Sequence, residues 1–388
     1  MKEASKLQVL TGASPTNELV RSTAAPAASA KELHDRFHRG SGYVYHRFGS
    51  NPTVSGAERA LAELEGAERS VLFPSGMAAV ATLFFAARRA GIRRLLLQHQ
   101  AFDQTVKLAA QLHRWGDMVV EAVDPEALGG ALRGLDGEPA LLYLESPSNP
   151  MIVVADLQGI AREFREACPD GWLAVDSTLA PPVVQRPVAL GVDVSLHSMT
   201  KYLYGHADHM GGAVSTSAAI AERLRAAQVL LGTVATPESA WLLTRSLKTL
   251  GVRMATIDRS ADAVARFLAS HSEVLEVRHP SLMFERFPFL SSQMSGGGGL
   301  LSFVLAGGLE RARRFCDGLA LIEIATSFGG TSSVVEVPVD IDWKDQGETR
   351  LPGLLTLPRE LIRLSIGLEA QEDLIADLAQ AIDVSASP

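Results

Sequence analysis

Cysteine is almost missing from this chain: Cys168 and Cys316 are the only two in 388 residues, and neither sits in a CxxC pair. Two are too few for a disulfide scaffold, so each thiol is expected to be a small buried apolar residue. Positive charge is also scarce. Lys and Arg number 36 against 44 Asp and Glu, a net charge of −8. Without a basic block or an aromatic–basic alternation, neither nucleic acid nor an anionic membrane is expected as a partner. No apolar run approaches the length of a membrane span, and the opening MKEASKLQVLTGASPTNEL has no signal core. A soluble cytoplasmic protein is the expectation. No GxGxxG follows a strand, and no GxxxxGK precedes Ser or Thr, which disfavours a nicotinamide-binding domain and a P-loop NTPase.

What is present is hydrophobic sequence, 47% of a chain too long for one ordinary domain. Residues 1–55 are rich in Ser, Ala, Pro and Gly and weakly periodic. They read as an extended arm ordered only by packing on something else. From Ser55, a capping residue, Ala57, Ala60, Leu61 and Leu64 share one helical face, and Gly66 ends it. Apolar runs then follow at Ser70–Phe73, Leu95–Gln98, Met118–Val123, Leu141–Leu144, Trp172–Asp176 and Val192–Leu196. Amphipathic stretches such as Met77–Ala90, Gln104–Trp115 and Leu157–Ala167 separate them. Continuous apolar strands alternating with helices predict an α/β fold, a mostly parallel sheet with helices on both faces. A long helix is predicted from Pro237 to about Ser270. The expected organisation is an arm at 1–55, a large domain at 56–250 and a smaller C-terminal α/β domain at 251–388.

The segment Asp193–Gly212, DVSLHSMTKYLYGHADHMGG, places Lys201 just after a strand end, among hydroxyls and glycines. Apolar and small neighbours desolvate the ammonium, lower its pKa and leave an amine that can form an imine. Ser198 and Thr200 flank it and can bind a phosphate. Upstream, AVDSTLAPP puts Asp176 at the end of an apolar strand, where a carboxylate needs a cation. The protonated pyridine of pyridoxal phosphate is such a cation. Further upstream, LFPSGMAA gives a strand, a glycine and a helix start whose N–H groups face an anion. Phosphate turn, aspartate and lysine in that order point together to pyridoxal 5'-phosphate. His206, Asp208 and His209 raise the question of a metal, and His34 and His38 lie four apart on a possible helix. Neither group has a convincing ligand set, and no metal is expected.

These segments carry a resemblance. YHRFGSNPT (Tyr45–Thr53), SGMAA (Ser75–Ala79), ESPSNP (Glu145–Pro150), VDST (Val175–Thr178), SMTKYLYGHAD (Ser198–Asp208), SLKTLGVRM (Ser246–Met254) and IRLSIGLE (Ile362–Glu369) occur in order. From about residue 40 to the end the chain resembles the cystathionine γ-synthase, cystathionine γ-lyase and methionine γ-lyase family of fold-type-I pyridoxal-phosphate enzymes. The resemblance implies that Lys201 carries the cofactor as a Schiff base and moves protons, and that Asp176 pairs the pyridinium. It implies phosphate contacts from Gly76, Met77, Ser198 and Thr200, with Thr178 also at the cofactor. Tyr45 and Arg47 would reach the phosphate of a neighbouring subunit, Tyr45 with a catalytic role as well. Asn149, Ser327 and Arg363 would bind the substrate, Asn149 through its carboxylate or else a cofactor oxygen, with Arg363 gripping the substrate carboxylate. The arm would then pack on a partner, giving shared active sites in a homo-oligomer, a dimer at least and a tetramer by family habit.

Three departures stand out. Where the family usually has a tyrosine stacked on the ring, in a stretch like YGG, this chain reads AFDQT: Phe102 keeps the ring and loses the phenol, and Asp103 and Gln104 replace glycines. Ser332 stands where a glutamate often sits, and the usual Thr-His is missing from VDIDWKDQGETRLPGLLTLPREL. Lys107 reads either as a solvated helix residue or as part of the entrance. The expected activity is γ-elimination or γ-replacement on an L-amino acid with a good leaving group, such as an O-acyl homoserine or a γ-halogenated amino acid. A cystathionine or methionine γ-lyase (or β-lyase) is the alternative. A cofactor-bound regulatory or scaffold protein without turnover is the alternative of another class; joint retention of Lys201, Asp176 and Arg363 speaks against it.

Overall fold

Two sheets organise the chain. The computed structural model describes residues 18–340 except 41 and 50, and 351–386 except 352 and 355. The larger sheet contains β1 (Arg69–Phe73), β2 (Arg94–Gln98), β3 (Val119–Val123), β4 (Ala140–Glu145), β5 (Trp172–Asp176), β6 (Val194–Ser198) and β7 (Gly212–Thr216). Their spatial order is β1-β7-β6-β5-β4-β2-β3. Strands β2 to β6 pair in parallel, and β7 runs antiparallel to both neighbours, β1 and β6. The helices are α1 (Ala30–Arg39), α2 (Pro52–Glu65), α3 (Gly76–Arg89), α4 (Asp103–Arg114), α5 (Gly129–Arg133), α6 (Leu157–Ala167), α7 (Ala218–Leu231) and α8 (Pro237–Ser270).

The residues of β4 explain why helices cover both faces. Leu141 and Tyr143 join a core with residues of α3, α4 and α7, whereas Ala140, Leu142 and Leu144 join one with residues of α5 and α6. The two-residue alternation sends apolar side chains to opposite faces, so both must be covered. The expected mostly parallel sheet is therefore present.

The second sheet contains β8 (Val274–Arg278), β9 (Leu300–Leu305), β10 (Glu323–Ile324), β11 (Val334–Glu336) and β12 (Leu361–Ser365), in the order β10-β11-β12-β9-β8. Helices α9 (Pro288–Gln293), α10 (Gly308–Asp317) and α11 (Gln371–Ser385) complete this part. Helix α8 runs unbroken through Gly251. Its Leu243, Leu247, Leu250, Met254 and Ile257 pack in one core with Leu61, Leu72 and Met199, while Ala261, Val264 and Leu268 pack in another with Phe303, Phe315 and Leu364. One helix thus ties both sheets together.

Several local expectations need correction. Helix α2 begins at Pro52 and is capped by Asn51, whose side chain accepts N–H bonds from Thr53 and Val54; Ser55 lies inside the first turn. Asn followed by Pro is the stronger start signal, because proline at the first helical position loses no hydrogen bond. Strand β6 is shifted by two residues from the apolar run Val192–Leu196. The Asp193 carboxylate accepts from Arg165 and from the Leu173 amide before the strand starts, and pairing continues through His197 and Ser198 to Ala213 and Gly212. Strand β7 was not anticipated, since GAVST has too few large apolar residues to mark it. The arm also contains a helix. Ser29 caps α1 by accepting from the Glu32 amide, Gly40 ends it in the left-handed region, and none of its residues is buried. Residues 1–17 of the arm, and most of the stretch without the Thr-His pair, lie outside the described residues. Cys168 and Cys316 are both free and buried, as expected.

Candidate active site

The carboxyl ends of β4, β5 and β6 and the amino end of α3 converge, and there the predicted residues gather. Ser75 caps α3, its hydroxyl accepting from the Ala78 amide, so Gly76 and Met77 open the first turn. Gly76 is forced by packing: a Cβ there would stand 3.0 Å from the Ser198 Cβ. Gly212 is tighter still, since its Cβ would meet the Ser75 carbonyl oxygen at 2.2 Å. These approaches seat the first turn of α3, with its free N–H groups, against the end of β6. Thr178 bridges the next element, its hydroxyl accepting from the Ser198 amide at 2.8 Å. The Thr200 hydroxyl closes on Gly211, donating to its carbonyl and accepting from its amide.

Asp176 ends β5. One carboxylate oxygen accepts from the Tyr143 hydroxyl at 3.2 Å and the other from the Thr178 amide at 2.9 Å. Burial raises its pKa, and the Thr178 hydrogen bonds and His197 oppose that rise. No Lys or Arg pairs with it among the described residues. Behind it, His197 is buried and bonds Glu65 at 2.5 Å.

Lys201 lies in the turn after β6. Its amine donates to the Ser327 hydroxyl at 2.5 Å and stands 4.6 Å from the centre of the Phe328 ring. Burial, and secondarily the Arg363 charge, lower its pKa to about 8, with Glu336 acting the other way. The amine is therefore available in neutral form far more readily than an exposed lysine. Ser327 adopts φ +76°, left-handed backbone that a non-glycine residue seldom takes. That turn lets one residue serve two cations: its hydroxyl faces Lys201, and its carbonyl accepts from Arg363 Nη2 at 2.7 Å. Arg363 Nη1 also donates to the Asn149 side-chain oxygen at 3.3 Å and pairs with Glu336 at 2.9 Å.

Lys201, Ser327, Arg363 and Asn149 thus form one connected group, and Gly76, Thr178, Ser198 and Asp176 form the adjoining one. Phe102 sits just before α4, 42% exposed, with its amide donating to Glu145 at 2.5 Å. Next to it Asp103 pairs with Lys107 at 3.2 Å, so Lys107 is an ion-paired helix residue. Tyr45 and Arg47 make their contacts elsewhere in the chain: Tyr45 packs edge-on against Phe48, and Arg47 donates to the Val229 carbonyl at the end of α7. His206 and His209 bond the Tyr204 carbonyl and the Ser239 hydroxyl, and the His34 ring meets the His38 ring at a tilt. Sequence reasoning missed Tyr143, Glu145, Phe328 and Glu336. Of these only Glu145 stood in a matching segment, ESPSNP, and there without a role.

The sequence profile of the Cys/Met metabolism PLP-dependent enzymes matches residues 10–383. The chain belongs to this family. The L-methionine gamma-lyase of Brevibacterium sandarakinum is 35% identical over 347 residues, covering 89% of this chain and 84% of that one. The cystathionine beta-lyase of Lactococcus lactis subsp. cremoris is 34% identical, covering 88% of each. Among solved structures, the cystathionine gamma synthase from Xanthomonas oryzae pv. oryzae in complex with aminoacrylate and cysteine superposes with a TM-score of 0.87 at 29% identity, covering 99% and 98% of the two chains. A Cys/Met metabolism enzyme of this family is a PLP-dependent lyase or transferase, and the site fits that cofactor. A glycine-walled helix start suits a phosphate, a buried carboxylate without a cation suits a pyridinium, and a desolvated lysine suits an aldehyde. Among the described residues no helix is long and apolar enough to cross a membrane.

Proposed function

We propose that this enzyme catalyses γ-elimination or γ-replacement on an L-amino acid whose γ substituent leaves without needing a proton, an O-acyl homoserine or a γ-halogenated amino acid. Phe102 carries this reading. A thiolate or alkoxide leaving group gains from a nearby acid, whereas a carboxylate or halide does not, because its conjugate acid is already ionised at neutral pH. An aromatic ring without a phenol is best tolerated in the second case. The names of the relatives favour a second reading, a methionine or cystathionine lyase, in which Tyr45, Lys201 or water supplies the proton.

In this proposal pyridoxal phosphate, when bound, supplies an electron sink for the substrate's Cα and Cβ. Lys201 is the lysine that carries it and then takes and returns protons at those carbons. Asp176 holds the pyridine nitrogen charged. Gly76, Met77, Ser198 and Thr200 hold the phosphate, Thr178 orients Asp176 and Ser198, and Phe102 covers the ring. Arg363, with Asn149 and Ser327, grips the substrate carboxylate.

The deciding measurement compares kcat/KM for O-acetylhomoserine, O-succinylhomoserine, a γ-chloro amino acid, methionine and cystathionine in the wild type and in Phe102→Tyr. The expected result is a wild-type preference for the acylated or chlorinated substrates, with Phe102→Tyr raising thioether turnover selectively, by about 10²-fold. A wild type that prefers thioethers, with Tyr raising all substrates alike, makes Phe102 a spectator.

The active site is proposed to be shared between subunits of a homo-oligomer. The support is that Tyr45 and Arg47 make no described contact with the lysine pocket of their own chain, and that α1 buries nothing. Mixing an Arg47→Ala chain with a Lys201→Ala chain is expected to restore part of the activity through hybrid sites. Fully exchanged hybrids with no recovery would speak for sites built within one chain.

A further inference from the structure

The residue proposed to clamp the substrate carboxylate already has a carboxylate on it. Glu336 and Arg363 are direct partners in the β11–β12 register, their side chains are 7% and 8% exposed, and Glu336 Oε1 stands 2.9 Å from Arg363 Nη1. Among the described residues the guanidinium also meets the Asn149 oxygen on the same Nη1, the Ser327 carbonyl on Nη2 and the face of the Phe328 ring. An arriving carboxylate must therefore displace or share what Glu336 holds. The second oxygen, Glu336 Oε2, is buried and has no hydrogen-bond partner among the described residues. An ionised, solvent-excluded oxygen with nothing donating to it is costly, and a proton placed there lowers the cost by removing the charge.

We propose that Glu336 is a built-in competitor for the substrate carboxylate, holding Arg363 in the empty site and yielding when a carboxylate binds by taking one proton from solvent at Oε2. The inference rests on the reading of Arg363 as the carboxylate clamp. Among the described residues two charged groups face Glu336, namely Arg363 on β12 and Lys201 in the turn after β6; Tyr202 from that turn faces Arg363. Burial already raises the Glu336 pKa against the pull of Arg363 and Lys201. A second carboxylate on the same guanidinium raises it further, since like charges at one site cannot both ionise cheaply. The sign follows from linkage. Binding takes up a proton, so affinity falls as pH rises between the pKa of Glu336 in the empty site and its higher value in the complex. Glu336 would then set the carboxylate affinity of this site as a positioning residue for Arg363, without touching the reacting carbons.

The test titrates the holoenzyme with L-norleucine, which has no γ leaving group, following the cofactor's visible absorption at several pH values in the wild type and in Glu336→Gln. Comparing the two proteins cancels the ionisation of the ligand amine. The expected result is an extra loss of wild-type affinity of about tenfold per pH unit within that window, absent in the variant, which binds more tightly at the alkaline end. Calorimetry in two buffers of different ionisation enthalpy should count up to one more proton taken up by the wild type. A variant that binds more weakly at every pH, or parallel pH profiles, overturns the proposal and leaves Glu336 a structural support. If the variant does not fold, proton uptake by the wild type on binding hexanoate decides, because that ligand has no amine; no uptake, with an unchanged visible band, is the negative result. Arg363→Lys run alongside separates the two readings. Undiminished norleucine binding there sinks the clamp itself, whereas a lost clamp with a pH-independent wild type sinks only the role of Glu336.

Discussion

Lys201→Ala is expected to abolish turnover on every amino-acid substrate and to leave the cofactor loosely held. Two losses combine. The proposed covalent anchor goes, so pyridoxal phosphate should wash out during gel filtration, and borohydride should no longer fix it to the protein. The proton carrier goes too, and that role alone contributes about 10²–10⁴-fold. The geometry explains why no neighbour replaces it: the amine contacts the Ser327 hydroxyl and the Phe328 ring, neither a base at neutral pH, and the Glu336 carboxylate that also faces it is already paired with Arg363. A pH signature accompanies the prediction. Burial and Arg363 bring the amine's pKa down to about 8, so the reactive neutral form dominates above that pH and is scarce below it. Cofactor capture by the wild-type apoprotein should therefore speed up as pH rises through about 8 and then level off. A Lys201→Ala protein that still formed a borohydride-reducible link at another lysine would overturn the assignment.

Lys201, Asp176 and Gly76 were legible because each sits in a short local motif whose chemistry is unusual for its setting: a lysine or a carboxylate at an apolar strand end, a glycine at a helix start. The alternation of apolar runs and amphipathic helices revealed the parallel sheet for the same local reason. What escaped was set by pairing between distant segments. Glu336 meets Arg363 only because β11 and β12 are antiparallel neighbours in one register, and nothing in SFGGTSSVVEVP announces that. Phe328 looked like an ordinary apolar residue, yet it lies under both the Lys201 amine and the Arg363 guanidinium. Strand β7 was hidden by its small residues, the first of which, Gly212, has no room for a Cβ because the Ser75 carbonyl presses on it. At the start of α2 the cap is Asn51, which proline follows, and the expected cap Ser55 lies inside the first turn.

Arg363→Ala is expected to lower kcat/KM toward the true substrate by about 3–5 kcal/mol of transition-state binding, roughly two to nearly four decades, with normal cofactor content. The size follows from burial: a guanidinium shielded from water interacts strongly with a carboxylate, and its fork matches both oxygens. The single variant has a complication that the structure makes explicit. Removing Arg363 strands Glu336 in a buried site without its cation, and breaking such a pair costs about 3–5 kcal/mol of stability on its own. Adding Glu336→Gln removes both charges together, and much of that stability cost should disappear. The catalytic loss should not, because the substrate carboxylate still finds no fork. Thermal unfolding of the two variants therefore reports the buried pair, and their kinetics report the clamp. Arg363→Lys gives the intermediate case: it keeps a charge but forfeits the contacts to Asn149 and the Ser327 carbonyl, so KM should rise more than kcat falls. If the double variant is stable and retains wild-type kcat/KM, the substrate carboxylate binds elsewhere, and Arg363 serves only to neutralise Glu336.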